Sequence, residues 1–235
     1  MESPLHIVVL SGAGISAESG IKTFRDSDGL WEEYRVEEVA TPEAWKNNPA
    51  LVQAFYNERR AQIHAAQPNA AHRMVAELES SYQVMVVTQN IDDLHERAGS
   101  QRIIHLHGKI GEARCEFDRE VVVPIVGDAL HMGECCPDGH QLRPNIVWFG
   151  EDVPLLSEAE EIVRQANVLL IIGTSLSVYP AAGLIWSVPI LADVVVVDPN
   201  PDIAIPTSRP IKHICAGASA GMSVFKEWLK TKRIP

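Results

Sequence analysis

The sequence predicts an α/β fold, a parallel sheet wound on both faces by helices and carrying an inserted smaller domain. Three observations carry that expectation: short β-branched runs recur, helical patterns lie between several of them, and two stretches break the alternation. In order, the runs are His6 to Leu10, Val84 to Thr88, Ile103 to Leu106, Asn145 to Phe149, Val168 to Ile172 and Val194 to Val197. Runs so short and unbroken read as strands buried on both faces. One intervening helix starts behind Asn69 as N-cap, with Ala71, Val75 and Leu78 on one face. Another is marked by Ser157 and Glu160 at capping-box spacing, ahead of Ile162, Val163 and Ala166. Residues 31–67 read as helices with no strand among them, one opened by Thr41 and Pro42. Residues 111–143 hold scattered apolar residues, turn formers and clustered cysteines. These two inserts are assigned to a small domain, and residues 1–30, 68–110 and 144–235 to the large one. A cleft between two lobes is a favoured ligand site.

The 235 residues carry 20 Lys plus Arg against 31 Asp plus Glu, a formal charge of −11. An acidic chain with no basic run is poorly suited to binding nucleic acid through its phosphates. It is also repelled by anionic membrane surfaces. No apolar run is long enough to span a bilayer, and Met1-Glu2-Ser3-Pro4 lacks the basic flank of a signal peptide. The expected location is the cytoplasm. Four cysteines, Cys115, Cys135, Cys136 and Cys215, are too few and too unevenly placed for a disulfide scaffold. Cys215, on a late run, is expected in the core.

The first run leads into Ser11-Gly12-Ala13-Gly14-Ile15-Ser16-Ala17, which fits the G-x-G-x-x-G/A dinucleotide fingerprint. Gly12 permits a tight turn, and Gly14 lets backbone N–H groups approach a pyrophosphate at a helix N-terminus. An acidic ribose partner about 20 residues on has no clean counterpart, a departure from ordinary dehydrogenases. Two further runs end in polar clusters, Gln89-Asn90-Ile91-Asp92 and Gly173-Thr174-Ser175. Strand carboxyl ends line the ligand crevice of a parallel sheet, so the three clusters converge. A carboxamide beside a carboxylate suits an amide-bearing ligand such as nicotinamide.

The segments GAGISAESGIKTFR, TQNIDDLHERAG, HLHG, LRPNIVWFGE and GTSLSVYPAAG together span nearly the whole chain. They resemble the sirtuins, the Sir2 family of NAD-dependent protein lysine deacylases, and within it the short bacterial class III, CobB-like members. The resemblance implies a Rossmann-like large domain, a small domain of helical and zinc modules, and consumption of NAD as co-substrate. It implies transfer of the acyl group to the nicotinamide ribose, with release of nicotinamide, free lysine and O-acyl-ADP-ribose. By motif, Gly12, Ala13 and Gly14 would face the diphosphate. Thr23, Phe24, Arg25 and Trp31 would belong to the cofactor loop. Gln89, Asn90, Ile91 and Asp92 would serve the nicotinamide ribose and carboxamide. Gly173, Thr174 and Ser175 would close on the adenosine side, with Asn200 at the adenine ribose and Ala218 near the adenine.

His105 and His107 alternate onto one side of a strand. An imidazole titrates near neutrality and can take a proton from a ribose hydroxyl. The family's HG pair selects His107 as that base. Residues Asn145 to Glu151 resemble the family's substrate strand, to which a peptide adds by backbone hydrogen bonds. Val147, Phe149 and Gly150 would border the peptide. Tyr56 and Arg59, three apart on a helix, share a face, and a phenol with a guanidinium suits a carboxylate. Class III members use such a Tyr-x-x-Arg pair for succinyl- and malonyl-lysine. The family's zinc ligands are matched only at Cys115 and Cys136. Asp118 and Gly139 stand where the other two cysteines would be, and Cys135, His140 or Asp118 would have to substitute. The expectation is a lost or weakened zinc site. The expected partners are acyl-lysine proteins or peptides. Three other readings stay open, an ADP-ribosyltransferase, a hydride-transfer dehydrogenase and a non-catalytic module that binds ADP-ribose or acyl-peptide.

Overall fold

The computed structural model describes residues 4–22, 30–31 (backbone only) and 34–232. Along the chain, β1 (His6–Ser11) is followed by a short pair, β2 (Leu30–Trp31) and β3 (Tyr34–Arg35), and by α1 (Val36–Val39), α2 (Pro42–Asn47), α3 (Pro49–Ala65) and α4 (Ala70–Leu78). Next come β4 (Gln83–Thr88), α5 (Leu94–Ala98), β5 (Ile103–His105), β6 (Gly108–Cys115), β7 (Val122–Pro124) and β8 (Leu142–Ile146). The chain closes with α6 (Leu156–Arg164), β9 (Val168–Ile172), β10 (Asp193–Val197), β11 (Lys212–Ile214) and α7 (Ala218–Lys230).

Six strands form a parallel sheet in the order β11-β10-β9-β1-β4-β5. Alternation along β1 sends Ile7 and Val9 into one core and Val8 and Leu10 into another. The first core is covered by α4 and α7, through Val75, Leu78, Met222 and Phe225. The second is covered by α6 and a 3-10 segment, through Ala159, Val163, Leu184 and Ile185. The chain winds outward from β1 to β4 and β5, then returns to β9 on the far side of β1. The strand order therefore reverses between β1 and β9, and ligands bind outside the carboxyl ends at such a switch point.

Two predicted helix starts are met. Thr41 accepts from the backbone N–H of Ala44, with Pro42 in the first turn, and Asn69 accepts from Ala71 and His72. The third differs. Helix α6 begins at Leu156 behind Leu155, without a side-chain cap, so Ser157 lies inside it. The run Asn145–Phe149 also differs. Its first two residues end β8, which pairs with β6 in a separate antiparallel sheet of order β7-β6-β8. A short apolar run carries no record of its pairing direction. Cys215 lies just past the end of edge strand β11 and is exposed rather than buried.

A third core joins α1, α2 and α3 to β6 and β8, through Val39, Trp45, Val52, Phe55, Tyr56, Ile110, Ile146 and Trp148. The cysteine-bearing segment has a small core of its own, Ala113, Cys115, Leu130, Cys136 and Leu142. It is tied to α3 by Asn57, whose amide donates to the Leu130 carbonyl and accepts from the Leu130 N–H. Buried Arg60 adds a bond from Nε to the Ile110 carbonyl at 2.9 Å.

Candidate active site

A cavity of about 480 Å³ runs along the carboxyl ends of β1, β4, β9 and β10 and under the helical lobe. Gly12, Ala13 and Gly14 form one wall and Gly173, Thr174 and Ser175 the facing one. The two loops are in direct contact: Gly12 N–H donates to Ile172 O at 3.1 Å and Gly14 N–H to Gly173 O at 2.8 Å. A Cβ on Gly14 would fall 2.7 Å from Gly173 Cα, and one on Gly12 would fall 2.8 Å from Gly173 O. The glycines are required by this approach of two backbones, and the cradle stays open for a ligand. One expectation is modified. The fingerprint is followed by two 3-10 turns, Ala13–Ile15 and Ala17–Ser19, not an α-helix, and the Gly14 N–H is already bonded within the protein.

The β4 cluster closes the middle of the cavity. Gln89 Nε2 donates to Thr174 Oγ1 at 3.0 Å, which links the β4 and β9 ends. Asn90 Nδ2 donates to Ser16 Oγ at 3.2 Å, and Ser16 donates to Asp92 Oδ2 at 3.0 Å. The other Asp92 oxygen accepts the Leu94 N–H. Burial raises the Asp92 pKa, while the bonds from Leu94 and Ser16 oppose that shift. Ile91 lines the cavity beside them.

His107 lines the cavity between the end of β5 and the start of β6. Its Nδ1 is 3.0 Å from the Gln89 carbonyl. A carbonyl can only accept, so Nδ1 carries the proton and Nε2 is left as the basic nitrogen. Burial lowers the His107 pKa and the Gln89 bond opposes this, so the ring is neutral at pH 7. The His107 carbonyl accepts the Val147 N–H at 3.0 Å, which places residues 147–150 beside the imidazole. His105 is held apart from the cavity by the Asn90 carbonyl and by Glu96 at 2.7 Å.

Residues 147–150 leave β8 without continuing as a strand. Val147, Trp148 and Phe149 commit their N–H groups to His107 O, Glu151 Oε2 and Ala40 O. A peptide added here cannot draw on those three donors, a restriction invisible in the sequence. Gly150, at φ +89°, turns the chain back toward Glu151.

Tyr56 and Arg59 both line the cavity from α3 and both are buried. Burial drives the phenol pKa upward, and the nearby charges of Arg143 and Arg59 act against it. Ala218 also borders the cavity. Asn200 does not. It sits in the turn after β10, where its Oδ1 accepts the Asp202 N–H at 3.0 Å, and Asp198 and Pro199 line the wall instead. Asp198 was open to discovery as the first polar residue past a strand end. Thr23, Phe24 and Arg25 lie outside the described residues, as does the side chain of Trp31.

Two buried histidines under the glycine loop were not singled out from the sequence. His95 Nε2 lies 3.0 Å from Ser11 Oγ, His72 Nε2 lies 3.5 Å from Ser16 Oγ, and the rings meet edge to face at 5.0 Å. Burial lowers the His72 pKa to about 4 and the His95 pKa to about 3. An unfolded histidine titrates near 6.5, so between those values the unfolded chain binds more protons. This stabilisation is whole above about pH 6.5 and is lost as the pH falls through it. His72 alone is expected to cost about 3 kcal/mol by pH 4. Urea unfolding at pH 7 and pH 4.5 checks this, and equal midpoints would refute it.

The cysteine segment does not fit a zinc ion. Cys115 and Cys136 place their sulfurs 3.2 Å apart, but the other candidates are engaged or turned away. Cys135 is exposed with its thiol toward the Gly133 carbonyl, Asp118 caps the Glu120 N–H, and the His140 ring packs on Phe117 at 4.6 Å. Among the described residues no group of three or more His, Cys, Asp or Glu could hold a metal. Structural zinc needs four ligands. Also among the described residues, no helix is long and apolar enough to cross a membrane.

The Sir2 family model matches residues 12–180. The chain is 60% identical over 179 residues to an NAD-dependent protein deacylase of Helicobacter pylori, covering 76% of this chain and 78% of that one. It is 49% identical over 229 residues to an NAD-dependent protein deacylase of Bacteroides thetaiotaomicron, covering 95% and 97%. The fold is similar to a solved Sir2 homologue in complex with NAD, with a TM-score of 0.85, 37% identity, and coverage of 97% and 90%. With the glycine cradle, the β4 cluster and His107 gathered at the sheet's switch point, the chain belongs to the Sir2 family.

Proposed function

We propose that this Sir2-family enzyme, an NAD-dependent protein deacylase, removes succinyl and malonyl groups from lysine, and acetyl groups less readily. The observation that carries the acyl preference is the pairing of Tyr56 and Arg59, buried on one face of α3 and lining the same cavity as His107. A buried guanidinium on the same helix face as a phenol is complementary to the terminal carboxylate of an acidic acyl chain. NAD supplies the ribose that receives the acyl group, so nicotinamide and O-acyl-ADP-ribose are the expected products. Gly12, Ala13, Gly14, Gly173, Thr174 and Ser175 would hold its phosphates and adenosine half. Gln89, Asn90 and Asp92 would hold its nicotinamide half. His107 would take a proton from a ribose hydroxyl at Nε2, in the tautomer that the Gln89 carbonyl sets.

A hydrogen bond to a charged group contributes about 1.5–3 kcal/mol net, or roughly 10- to 150-fold in preference. Arg59→Met is therefore expected to lower kcat/KM for a succinyl-lysine peptide by about 10- to 100-fold. The same peptide carrying acetyl-lysine should change by no more than a few-fold. Mass spectrometry on matched peptides with NAD reads both. Equal losses on both acyl groups would reduce the pair to a structural feature.

A further inference from the structure

Two buried thiols face each other in the segment that does not fit zinc. Cys136 Sγ lies 3.2 Å from Cys115 Sγ, and both are free thiols. Their side chains sit in the small core with Ala113, Leu130 and Leu142, away from the cavity that His107 lines. The other two thiols point elsewhere. Cys135 is exposed and turned toward the Gly133 carbonyl, and Cys215 is exposed with its thiol toward the Pro199 carbonyl.

The backbone presents this pair from two fixed segments. Cys115 ends β6 and pairs with Leu142 of β8. Cys136 opens a tight turn, where its N–H donates to the His140 carbonyl at 2.8 Å and its carbonyl accepts the Gly139 N–H at 2.9 Å. The Leu142 N–H donates to the Glu134 carbonyl at 2.8 Å, which ties that turn to the strand facing Cys115. Two residues 21 apart in the chain are thereby held with their sulfurs in contact. A disulfide bond measures about 2.0 Å, so small side-chain rotations close the remaining gap. Access to the pair is unequal. Cys115 is fully buried, whereas Cys136 is 5% exposed and within reach of an oxidant as small as water.

We propose that Cys115 and Cys136 form a modification site, a dithiol that hydrogen peroxide closes to a disulfide. The Cys136 thiolate attacks one peroxide oxygen. An S–O bond forms, the O–O bond breaks and hydroxide leaves, which gives a sulfenic acid. The Cys115 thiolate then attacks that sulfur. An S–S bond forms, the S–O bond breaks and a second hydroxide leaves. The two thiol protons turn both hydroxides into water, so two thiols and one peroxide give one disulfide and two waters. The closed loop contains Leu130, the residue that Asn57 of α3 holds through two hydrogen bonds. Where the sirtuin pattern places four metal ligands, this chain secures the segment with a covalent bond between the two that it keeps.

The test uses the wild-type protein and a Cys135→Ser/Cys215→Ser variant, which removes the exposed thiols and leaves the pair. After dilute hydrogen peroxide the intact mass of the variant is expected to fall by about 2 Da, and dithiothreitol should restore it. Peptide mapping of both proteins should join Cys115 to Cys136. The cross-linked protein should melt roughly 5–10 °C higher than the reduced one. Adding Cys115→Ser should abolish the mass loss and leave Cys136 carrying oxygen, trapped by dimedone. The mapped cross-link decides the question even where that triple variant does not fold. An unchanged mass, oxygen added to Cys136 without a cross-link while Cys115 is present, or an unchanged melting temperature after cross-linking would each overturn the proposal. Stoichiometric zinc on the untreated protein would overturn it as well.

Discussion

Replacing His107 with alanine is expected to lower kcat for deacylation by about 10²- to 10⁴-fold, the range that a positioned general base contributes. The geometry behind this is specific. The Gln89 carbonyl, 3.0 Å from Nδ1, fixes the tautomer and leaves Nε2 as the base. The ring's position beside residues 147–150 comes from the backbone, through the Val147 N–H on the His107 carbonyl, so alanine leaves that contact in place. ADP-ribose affinity and melting temperature should therefore change little while turnover collapses. The pH profile supplies a second signature. Only the neutral ring accepts a proton, and burial holds the His107 pKa below its ordinary 6.5. Wild-type kcat/KM should stay level as pH falls to about 6.5 and drop below it. The variant's residual rate should lack that limb. Residual activity within tenfold of wild type would remove His107 from the chemistry.

The other large effect is expected at Gly173, and it concerns assembly of the site instead of proton transfer. Gly173 has φ +65°, in the left-handed region that side chains rarely adopt. A Cβ there would fall 2.6 Å from the Gly14 carbonyl carbon and 2.9 Å from Gly14 Cα, both backbone atoms that cannot rotate aside. Left-handed strain adds roughly 1–2 kcal/mol and overpacking roughly 1–3 kcal/mol. Gly173→Ala should thus destabilise the fold by about 2–5 kcal/mol, or roughly 5–20 °C in Tm. Because relief requires the two loops to part, KM for NAD should rise far more than KM for the acyl peptide. Calorimetry and NAD titration together check this. A variant with unchanged Tm and unchanged KM for NAD would show that the two loops are not a fixed cradle.

Much of this site was legible because strand ends are legible. Runs such as Val168–Ile172 are apolar on both faces, as strands covered on both sides of a parallel sheet are, and in such a sheet the polar residues that follow gather at its carboxyl edge. Gln89, Asn90, Asp92 and Thr174 were found that way, and the structure joins them through hydrogen bonds. What stayed hidden depends on tertiary pairing. The sequence around Asn145 could not show that its strand runs antiparallel to β6, nor that three N–H groups after it are already taken. Ser157 had the spacing of a cap but lies inside α6, since helix starts are set by packing as much as by local residues. His72 and His95 each look like ordinary core residues in one dimension. Their roles arise from partners 56 and 84 residues away.

The placement of β1 at the sheet's centre has a consequence for the chain as it is made. Translation delivers β1 first, yet one of its two neighbours begins at Gln83 and the other at Val168. At about 5–20 residues per second, β9 follows β1 off the ribosome by roughly 8–30 s. During that interval β1 has at most one flank paired, and Ile7, Val8, Val9 and Leu10 wait with an open edge. The glycine loop must wait as well, because Gly12 and Gly14 are held by carbonyls of Ile172 and Gly173. A nascent chain is thus unable to close this contact between the two loops until β9 has been synthesised, and in the meantime β1 keeps an apolar edge open to unwanted pairing.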